Sequence, residues 1–211
     1  MSLLVDPVLV PATSEHRGVL VWRWGTLVSV LSSAPVGGGP GIAEWVLNIG
    51  VGADYDRTDL SDHAGEVAAE LGLLGTGVAM FTAVDLSRRQ RSSSGGVVVD
   101  ATVGISHPTW AAESFSTETP AVGGTINLVV QLPVALDPGA AVNAVITATE
   151  AKTQALAAHK VPGTGTATDA VTIAWPAEAT AERFAGPRSQ WGTRIAQAVY
   201  QAVRAGAEPR A

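Results

Sequence analysis

The apolar residues of this chain fall into short runs, and this pattern constrains the fold more than any other feature. None of the runs reaches the roughly 18 residues that a membrane-spanning helix requires. Most are Val-rich stretches bounded by Gly, Pro or Ser, which is typical of β-strands. Strands are predicted at residues 19–24, 26–34, 43–51, 78–82, 96–105, 125–132 and 170–175, with Gly25 at a turn between the first two.

Three segments carry helical signals instead. Residues 62–73 follow Ser61, a suitable N-cap, and a second helix runs to about Lys160 from Asp137, where Pro is accepted at the first helical position. A final amphipathic helix starts near Pro187. Its core-facing stripe is predicted to be Trp191, Ile195, Val199 and Val203. The corresponding stripe of the second helix is predicted to be Val142, Val145, Ile146, Thr149, Thr153 and Leu156.

The order of these elements predicts an α/β or α+β fold. A chain of 211 residues fits a single layered domain over residues 1–211, with a large mixed sheet and about three main helices. The order of the strands within the sheet does not follow from the sequence. Residues 86–95 are expected to form a solvated loop with surface arginines, and residues 106–124 a long irregular segment.

Composition excludes several classes of function. A net charge of −6 argues against a nucleic-acid partner, which normally binds a basic face. The absence of cysteine rules out disulfides, thiolate metal sites and a cysteine nucleophile, and the four histidines show no ligand spacing. We therefore expect no metal site, no cofactor and no membrane partner. The start of the chain lacks the features of a signal peptide, so a cytoplasmic protein is expected.

Two glycine-containing segments could meet a ligand through their backbone. Residues 32–39 (SSAPVGGG) contain Ser33, Gly37 and Gly38 and could form an anion-binding nest, or a simple flexible turn. Residues 123–127 (GGTIN) place Asn127 near the start of a strand, where the glycines could equally serve as a hinge.

Two further segments combine charged residues with threonines. Glu150 and Lys152 lie about 200° apart on the second helix, so they cannot pair with each other and each needs a partner elsewhere. A charged flank of this kind is also typical of a solvated helix edge. Residues 163–170 (GTGTATDA) offer backbone donors, hydroxyls and Asp169 just before a strand, without the spacing of a phosphate-binding loop.

These segments, in this order, resemble the adenosylcobinamide amidohydrolase family over residues 29–204. The resemblance rests on Ser33 with the glycine run, Asn48 and Tyr55, and on five blocks that follow them. These are residues 77–83 (GVAMFTA), 100–106 (DATVGIS), 124–127 (GTIN), 149–156 (TEAKTQAL) and 163–170 (GTGTATDA). Residues 107–110 (HPTW) depart from the family, which continues there with Asn and small residues.

The resemblance implies an enzyme that hydrolyses the amide between a corrin propionate and aminopropanol in adenosylcobinamide, giving adenosylcobyric acid in cobamide salvage. The corrinoid is then the substrate rather than a cofactor. Two alternatives are a binding module that holds a corrinoid or another metabolite without catalysis, and a self-processing threonine amidase. The oligomeric state does not follow from the sequence.

The residues leave the mechanism open between a Ser or Thr hydroxyl and an activated water. Asp169 and Glu150 are candidate acids and bases, Lys152 could stabilise negative charge, and glycine-loop amides could serve as oxyanion donors. The candidate catalytic residues are Asp169, Lys152, Glu150, Thr166 and Thr168. The candidate substrate-binding residues are Ser33, Gly37, Gly38, Asn48, Asn127, Thr149, Thr153, Gly163 and Gly165.

Overall fold

A computed structural model describes residues 4–114, 124–177 and 180–208. Within these ranges the three predicted helices are present, as α1 (Leu60–Glu70), α2 (Pro138–Ala158) and α3 (Gln190–Ala207). The strands are β1 (Val8–Val10), β2 (Val19–Ser32), β3 (Gly39–Gly50), β4 (Gly77–Thr82), β5 (Gln90–Ser94), β6 (Val97–Val103), β7 (Ile126–Gln131), β8 (Ala135–Leu136), β9 (Ala170–Pro176) and β10 (Ala181–Glu182). The predicted irregular segment 106–124 lies partly outside the described residues.

The main sheet is large and mixed, as predicted. Its strand order is β4-β3-β2-β9-β7-β6-β5, with β1 added to β2, and the pairs β3–β4 and β7–β9 are parallel while the others are antiparallel. The short strands β8 and β10 form a separate parallel pair. Parallel neighbours require long connections, and α1 and α2 provide them for β3–β4 and β7–β9.

The sheet curls so that side chains from its two halves meet on one face. Trp22 on β2 donates an indole hydrogen bond of 3.0 Å to Asp100 on β6, although two strands separate them in the sheet. A buried cluster on the same face joins Leu20, Val46 and Met80 to Val129. The inner face of the curled sheet therefore forms a hydrophobic core separate from those under the helices.

The helices cover the outer faces. Helix α1 packs on β2, β3 and β4, whereas α2 and α3 pack together on the half of the sheet that contains β6, β7 and β9. The predicted stripe of α3 is confirmed, because all four of its residues are buried. None of the helices in the described ranges is long and apolar enough to cross a membrane.

Two loop predictions were wrong. Residues 19–32 form one strand in which the pairing with β3 shifts between Arg23 and Val28, so Gly25 lies in a bulge rather than at a turn. Residues 90–94, predicted as part of a loop, form β5 on the edge of the sheet. Their Arg91, which is exposed, and the preceding Arg89 both bind the carboxylate of Asp100.

The predicted core face of α2 was wrong at most positions, although Leu156 is buried as predicted. Val142 and Ile146 are 52% and 47% exposed, and Thr149 is exposed with its hydroxyl bonded to the Val145 carbonyl. The buried face consists mainly of alanines, which let α2 lie close to α3 and β9. Hydrophobicity alone misplaced this face because alanine has little apolar area. The residues buried on α2 are Ala140, Ala141, Ala144, Thr147, Ala148, Ala151, Lys152, Ala155 and Leu156.

Two of the helix starts differ from expectation in detail. Helix α1 begins at Leu60 after Asp59, so Ser61 lies inside the helix and is not its N-cap. Asp137 precedes α2 as predicted but makes no capping hydrogen bond with its side chain. The start of α3 has a full cap, because Ser189 accepts a hydrogen bond from the Gly192 amide.

Candidate active site

The Gly-Thr loop (residues 163–169) leads from α2 to β9 and ends at a carboxylate that accepts four hydrogen bonds. Oδ1 of Asp169 accepts from the Ile126 amide at 2.9 Å and from the Thr166 hydroxyl at 2.5 Å. Oδ2 accepts from the Thr166 amide at 3.1 Å and from the ammonium group of Lys152. Strand, helix and loop thus converge on one side chain.

Lys152 reaches Asp169 from the buried face of α2. The side chains of the two residues are only 8% and 12% exposed. Lys152 was expected to need a partner outside its own helix, and this is confirmed. Buried charges are costly unless they are paired and hydrogen-bonded, and here both conditions are met.

Gly165 packs directly on this ion pair. A Cβ atom at position 165 would lie 2.3 Å from Oδ2 of Asp169 and 2.5 Å from Nζ of Lys152. Both distances are shorter than any non-bonded contact that a methyl group tolerates. The loop therefore needs glycine here, because its backbone forms a wall of the charged site.

The site reaches solvent on the C-terminal side of the loop. Thr166 is half-buried, and Ala167 and Thr168 are exposed. The Thr168 hydroxyl lies 2.7 Å from that of Thr125, so the two candidate hydroxyls of the loop have different partners. Of the two, Thr166 is the one that contacts the carboxylate.

The first half of the loop is fixed by its own backbone. The Thr153 hydroxyl donates to the Thr164 carbonyl at 3.0 Å and ties the loop to α2. The Gly163 amide donates to the Val161 carbonyl at 2.9 Å. Its hydrogen is thus engaged within the loop, and a role for this amide as an oxyanion donor stays a prediction.

The serine and glycine segment forms the connection between β2 and β3. Ser33 is exposed, and its hydroxyl accepts a hydrogen bond of 3.0 Å from the amide of Val171, two residues after Asp169. Gly37 has a φ of 68° and is packed so closely on β4 that a Cβ would lie 2.2 Å from the Gly77 carbonyl. A Cβ at Gly38 would lie 2.3 Å from the Ala34 carbonyl oxygen. Close packing thus accounts for both glycines, and binding of a ligand by this segment stays a prediction.

Asn48 and Asn127 meet on the inner face of the curled sheet. Nδ2 of Asn127 donates to Oδ1 of Asn48 at 2.9 Å and to the Phe81 carbonyl at 3.0 Å, and Asn48 donates to Thr102. Both amides are at most 2% exposed. Because Ile126 and Asn127 point to opposite faces of β7, this cluster lies behind the strand that holds Asp169. Direct substrate contact by either amide stays a prediction.

Glu150 and Thr149 are not brought to the cluster by the fold. Both are exposed on α2, and Glu150 lies two residues from Lys152, on the other side of the helix. Among the candidate catalytic residues, the structure thus assembles Asp169, Lys152 and Thr166, with Thr168 beside them.

Comparison with known proteins shows which family the chain belongs to. The sequence model of the adenosylcobinamide amidohydrolase family matches residues 8–210, which is nearly the whole chain. The chain belongs to the adenosylcobinamide amidohydrolase family. A relative from Methanosarcina mazei, named adenosylcobinamide amidohydrolase, is 28% identical over 187 residues, which cover 84% of this chain and 90% of the relative. The family resemblance that the sequence segments suggested is confirmed, and with it the class of hydrolase.

The Gly-Thr loop makes a further contact that was not among the sequence predictions. Residues 107–111, where the chain departs from the family pattern, pair with the loop through a bridge between Thr109 and Gly165. The Thr109 amide donates to the Gly165 carbonyl at 2.9 Å, and the Thr164 amide donates to the Thr109 carbonyl at 2.8 Å. Only the unusual sequence of this segment pointed to it.

An aromatic cluster supports the inner amides from the side of α1. Tyr55 donates its hydroxyl proton to Nδ1 of buried His63 at 2.7 Å, because the other ring nitrogen of His63 donates to the Glu15 carbonyl. Burial raises the pKa of the Tyr55 hydroxyl above its usual value. The Tyr55 ring stacks on Phe81, whose carbonyl binds Asn127. This cluster fixes the carbonyl that Asn127 uses.

A depression away from the Gly-Thr loop lies at the bulge of β2, between residues 23–26 and 44–45. It is separated from Asp169 by the part of β2 that pairs with β9. The Thr26 hydroxyl donates to the Leu27 carbonyl, so it is not aligned with the nearby carboxylate of Glu44. The ion pair of Lys152 and Asp169 is therefore the better candidate for amide chemistry.

Within the described ranges, no three His, Cys, Asp or Glu residues are grouped so that they could hold a metal ion. The groups that the site offers are an ammonium, a carboxylate and hydroxyls. These can supply a nucleophile, a proton acceptor and charge stabilisation for the cleavage of an amide.

Proposed function

We propose that this chain hydrolyses the amide bond between aminopropanol and a propionate side chain of the corrin ring in adenosylcobinamide. The products are adenosylcobyric acid and 1-amino-2-propanol, and the corrinoid is the substrate. The family supports the substrate class. The observation that carries the proposal is the contact of one carboxylate, Asp169, with both the Thr166 hydroxyl and the Lys152 ammonium.

The nucleophile in this proposal is Oγ1 of Thr166. Its hydrogen bond of 2.5 Å already points to Oδ1 of Asp169. As Oγ1 attacks the carbonyl carbon, the proton passes to Oδ1 and a carbon–oxygen bond forms. The carbon–nitrogen bond then breaks, and the leaving amine takes the proton from Asp169. A water molecule hydrolyses the resulting ester by the same route and frees Thr166.

Lys152 stabilises the negative charge that develops on the carbonyl oxygen. An ammonium group has three N–H donors, and Asp169 uses one of them. In a site with little water, a fixed positive charge lowers the barrier more than it would in solution. The Ile126 amide on Oδ1 and the Thr166 amide on Oδ2 keep the carboxylate in place while Oδ1 receives the proton.

Incubation of the purified chain with adenosylcobinamide tests the proposed reaction. Mass analysis should show adenosylcobyric acid and 1-amino-2-propanol in equal amounts, with wild-type protein and with the matched control Thr149→Ala. Thr149 is exposed, and in the described ranges its hydroxyl donates to the Val145 carbonyl of its own helix, so its removal should leave product formation unchanged. Binding of the corrinoid without any product would instead support the non-catalytic binding module, and the proposed hydrolysis would be wrong.

A further inference from the structure

The segment of residues 107–111 is clamped to the Gly-Thr loop on both sides of an exposed tryptophan. Before Trp110, Thr109 makes the two backbone hydrogen bonds with the loop, and after it the Ala111 amide donates to the Thr164 hydroxyl at 3.0 Å. The Trp110 carbonyl accepts from the Glu113 amide at 3.0 Å and closes a turn. The backbone that carries the indole is thus fixed relative to the loop.

The indole itself is 55% exposed. Single exposed apolar side chains are common, and Phe184 on the surface near α2 is 69% exposed. Trp110 differs because its neighbour Thr109 bonds to Gly165, and Gly165 touches both members of the ion pair. One layer of backbone therefore separates the segment that carries the indole from the charged site.

We infer that Trp110 is a binding platform for the apolar face of the substrate's macrocycle. This inference rests on the proposed function. The amide to be cleaved lies at the end of a flexible side chain, so a large flat ring system can rest on the protein surface while the amide reaches Thr166. An indole offers a rigid apolar surface for such a ring at a low cost in conformational entropy. A platform on the surface contributes to binding of the whole molecule without taking part in the chemistry.

Steady-state kinetics of Trp110→Ala with adenosylcobinamide tests this role. KM should rise about tenfold and kcat should stay within about twofold, because loss of ring stacking weakens binding before and during the reaction alike. Trp110→Phe should recover most of the loss. Phe184→Ala is the matched control, since it removes an exposed aromatic ring from the segment between β10 and α3, and its KM should not change.

Three results would overturn the inference. An unchanged KM in Trp110→Ala would show that the indole does not meet the substrate, while product formation by the wild type would leave the proposed function intact. A fall in kcat with an unchanged KM would show that the segment only positions Gly165. Inactive wild-type protein would remove the proposed function itself, and the platform with it.

Discussion

Lys152 and Asp169 form a buried ion pair that joins the middle of α2 to the residue before β9. The pair connects two elements that pack on the same half of the sheet, and it also holds the hydroxyl of Thr166. It therefore has a structural role and a place in the proposed chemistry at once. Variants of this pair must be judged on both stability and turnover.

Breaking the pair on one side should lower stability and turnover together. Lys152→Met and Asp169→Asn should each cost about 3–5 kcal/mol of unfolding free energy, because one buried charge loses its partner. Turnover per folded molecule should fall at least about 100-fold, since charge stabilisation or the proton acceptor is lost. Urea unfolding measures the first effect, and initial rates at low temperature measure the second.

The double variant Lys152→Met with Asp169→Asn separates the two roles. With both charges removed, no unpaired charge stays buried, so stability should recover in part relative to the single variants. Turnover should not recover. If the double variant regained near-normal turnover, the pair would be purely structural and its catalytic assignment would be wrong.

Sequence reasoning identified the segments of the site but not the way they meet. That Lys152 needs a partner outside α2 followed from helix geometry, because no acid lies one turn away from it. That the partner is Asp169 depends on how α2 packs, and the hydrophobic pattern of α2 gave the wrong face. For α3 the hydrophobic pattern predicted the correct buried face. Its large side chains, such as Trp191 and Ile195, lose far more apolar area on burial than alanine does.

The contact between Asn48 and Asn127 was beyond prediction for a different reason. Their strands, β3 and β7, are separated by β2 and β9 within the sheet, and only its curl brings the two amides together. Neither the strand order nor the curl is encoded in any local pattern. The bulge at residues 23–28, which resembles a glycine turn in sequence, is another feature decided by pairing with the neighbouring strand.

Gly165→Ala should disrupt the site without removing any polar group. The added methyl would lie 2.3 Å from Oδ2 of Asp169 and 2.5 Å from Nζ of Lys152, so the ion pair must shift or the loop must lift. We expect turnover to fall at least about tenfold, because small misplacements of reacting groups cost that much or more. The matched control is Gly139→Ala at the exposed start of α2, where a methyl meets nothing within 4 Å and should slightly stabilise the helix. Equal activity in both variants would contradict the tight packing of the loop.

A pH-dependent contribution to stability should come from Arg57, which bonds Asp59 and Glu66 beside α1. The hydrogen bond from Arg57 lowers the pKa of Asp59 to about 2, and it also lowers the pKa of Glu66. A depressed carboxyl pKa stabilises the folded state above the unfolded value near 4, and this contribution is lost as the pH falls toward 2. The groups are exposed, so the effect should be small and should vanish in 1 M salt.

Urea midpoints at pH 5 and pH 3 measure this contribution. The wild type should lose more stability between the two pH values than Arg57→Gln does. Only in the wild type does Arg57 lower the carboxyl pKa values, so only there does protonation remove this stabilisation. Arg188→Gln, a substitution of another exposed arginine, serves as the control and should behave as the wild type. An identical loss in Arg57→Gln and the wild type would show that these bonds do not form in solution.

The hydroxyl of Thr166 gives the sharpest test of the proposed mechanism. Thr166→Ala removes the group that contacts Oδ1 of Asp169 but leaves the Thr166 amide and the Lys152 ammonium on the same carboxylate. Turnover should fall at least about 100-fold while the melting temperature changes by only a few degrees. Thr166→Ser keeps the hydroxyl and should retain substantial turnover.

Thr168→Ala is the matched control in the same loop, because its hydroxyl bonds Thr125 and not Asp169 in the described structure, and it should retain most activity. If Oγ1 is the nucleophile, rapid acid quenching during turnover should also trap a covalent ester whose mass equals that of the chain plus adenosylcobyric acid minus one water, and Thr166→Ala should not form it. Near-normal turnover in Thr166→Ala would show that water attacks directly, and the covalent step would then be wrong even though the amide is hydrolysed.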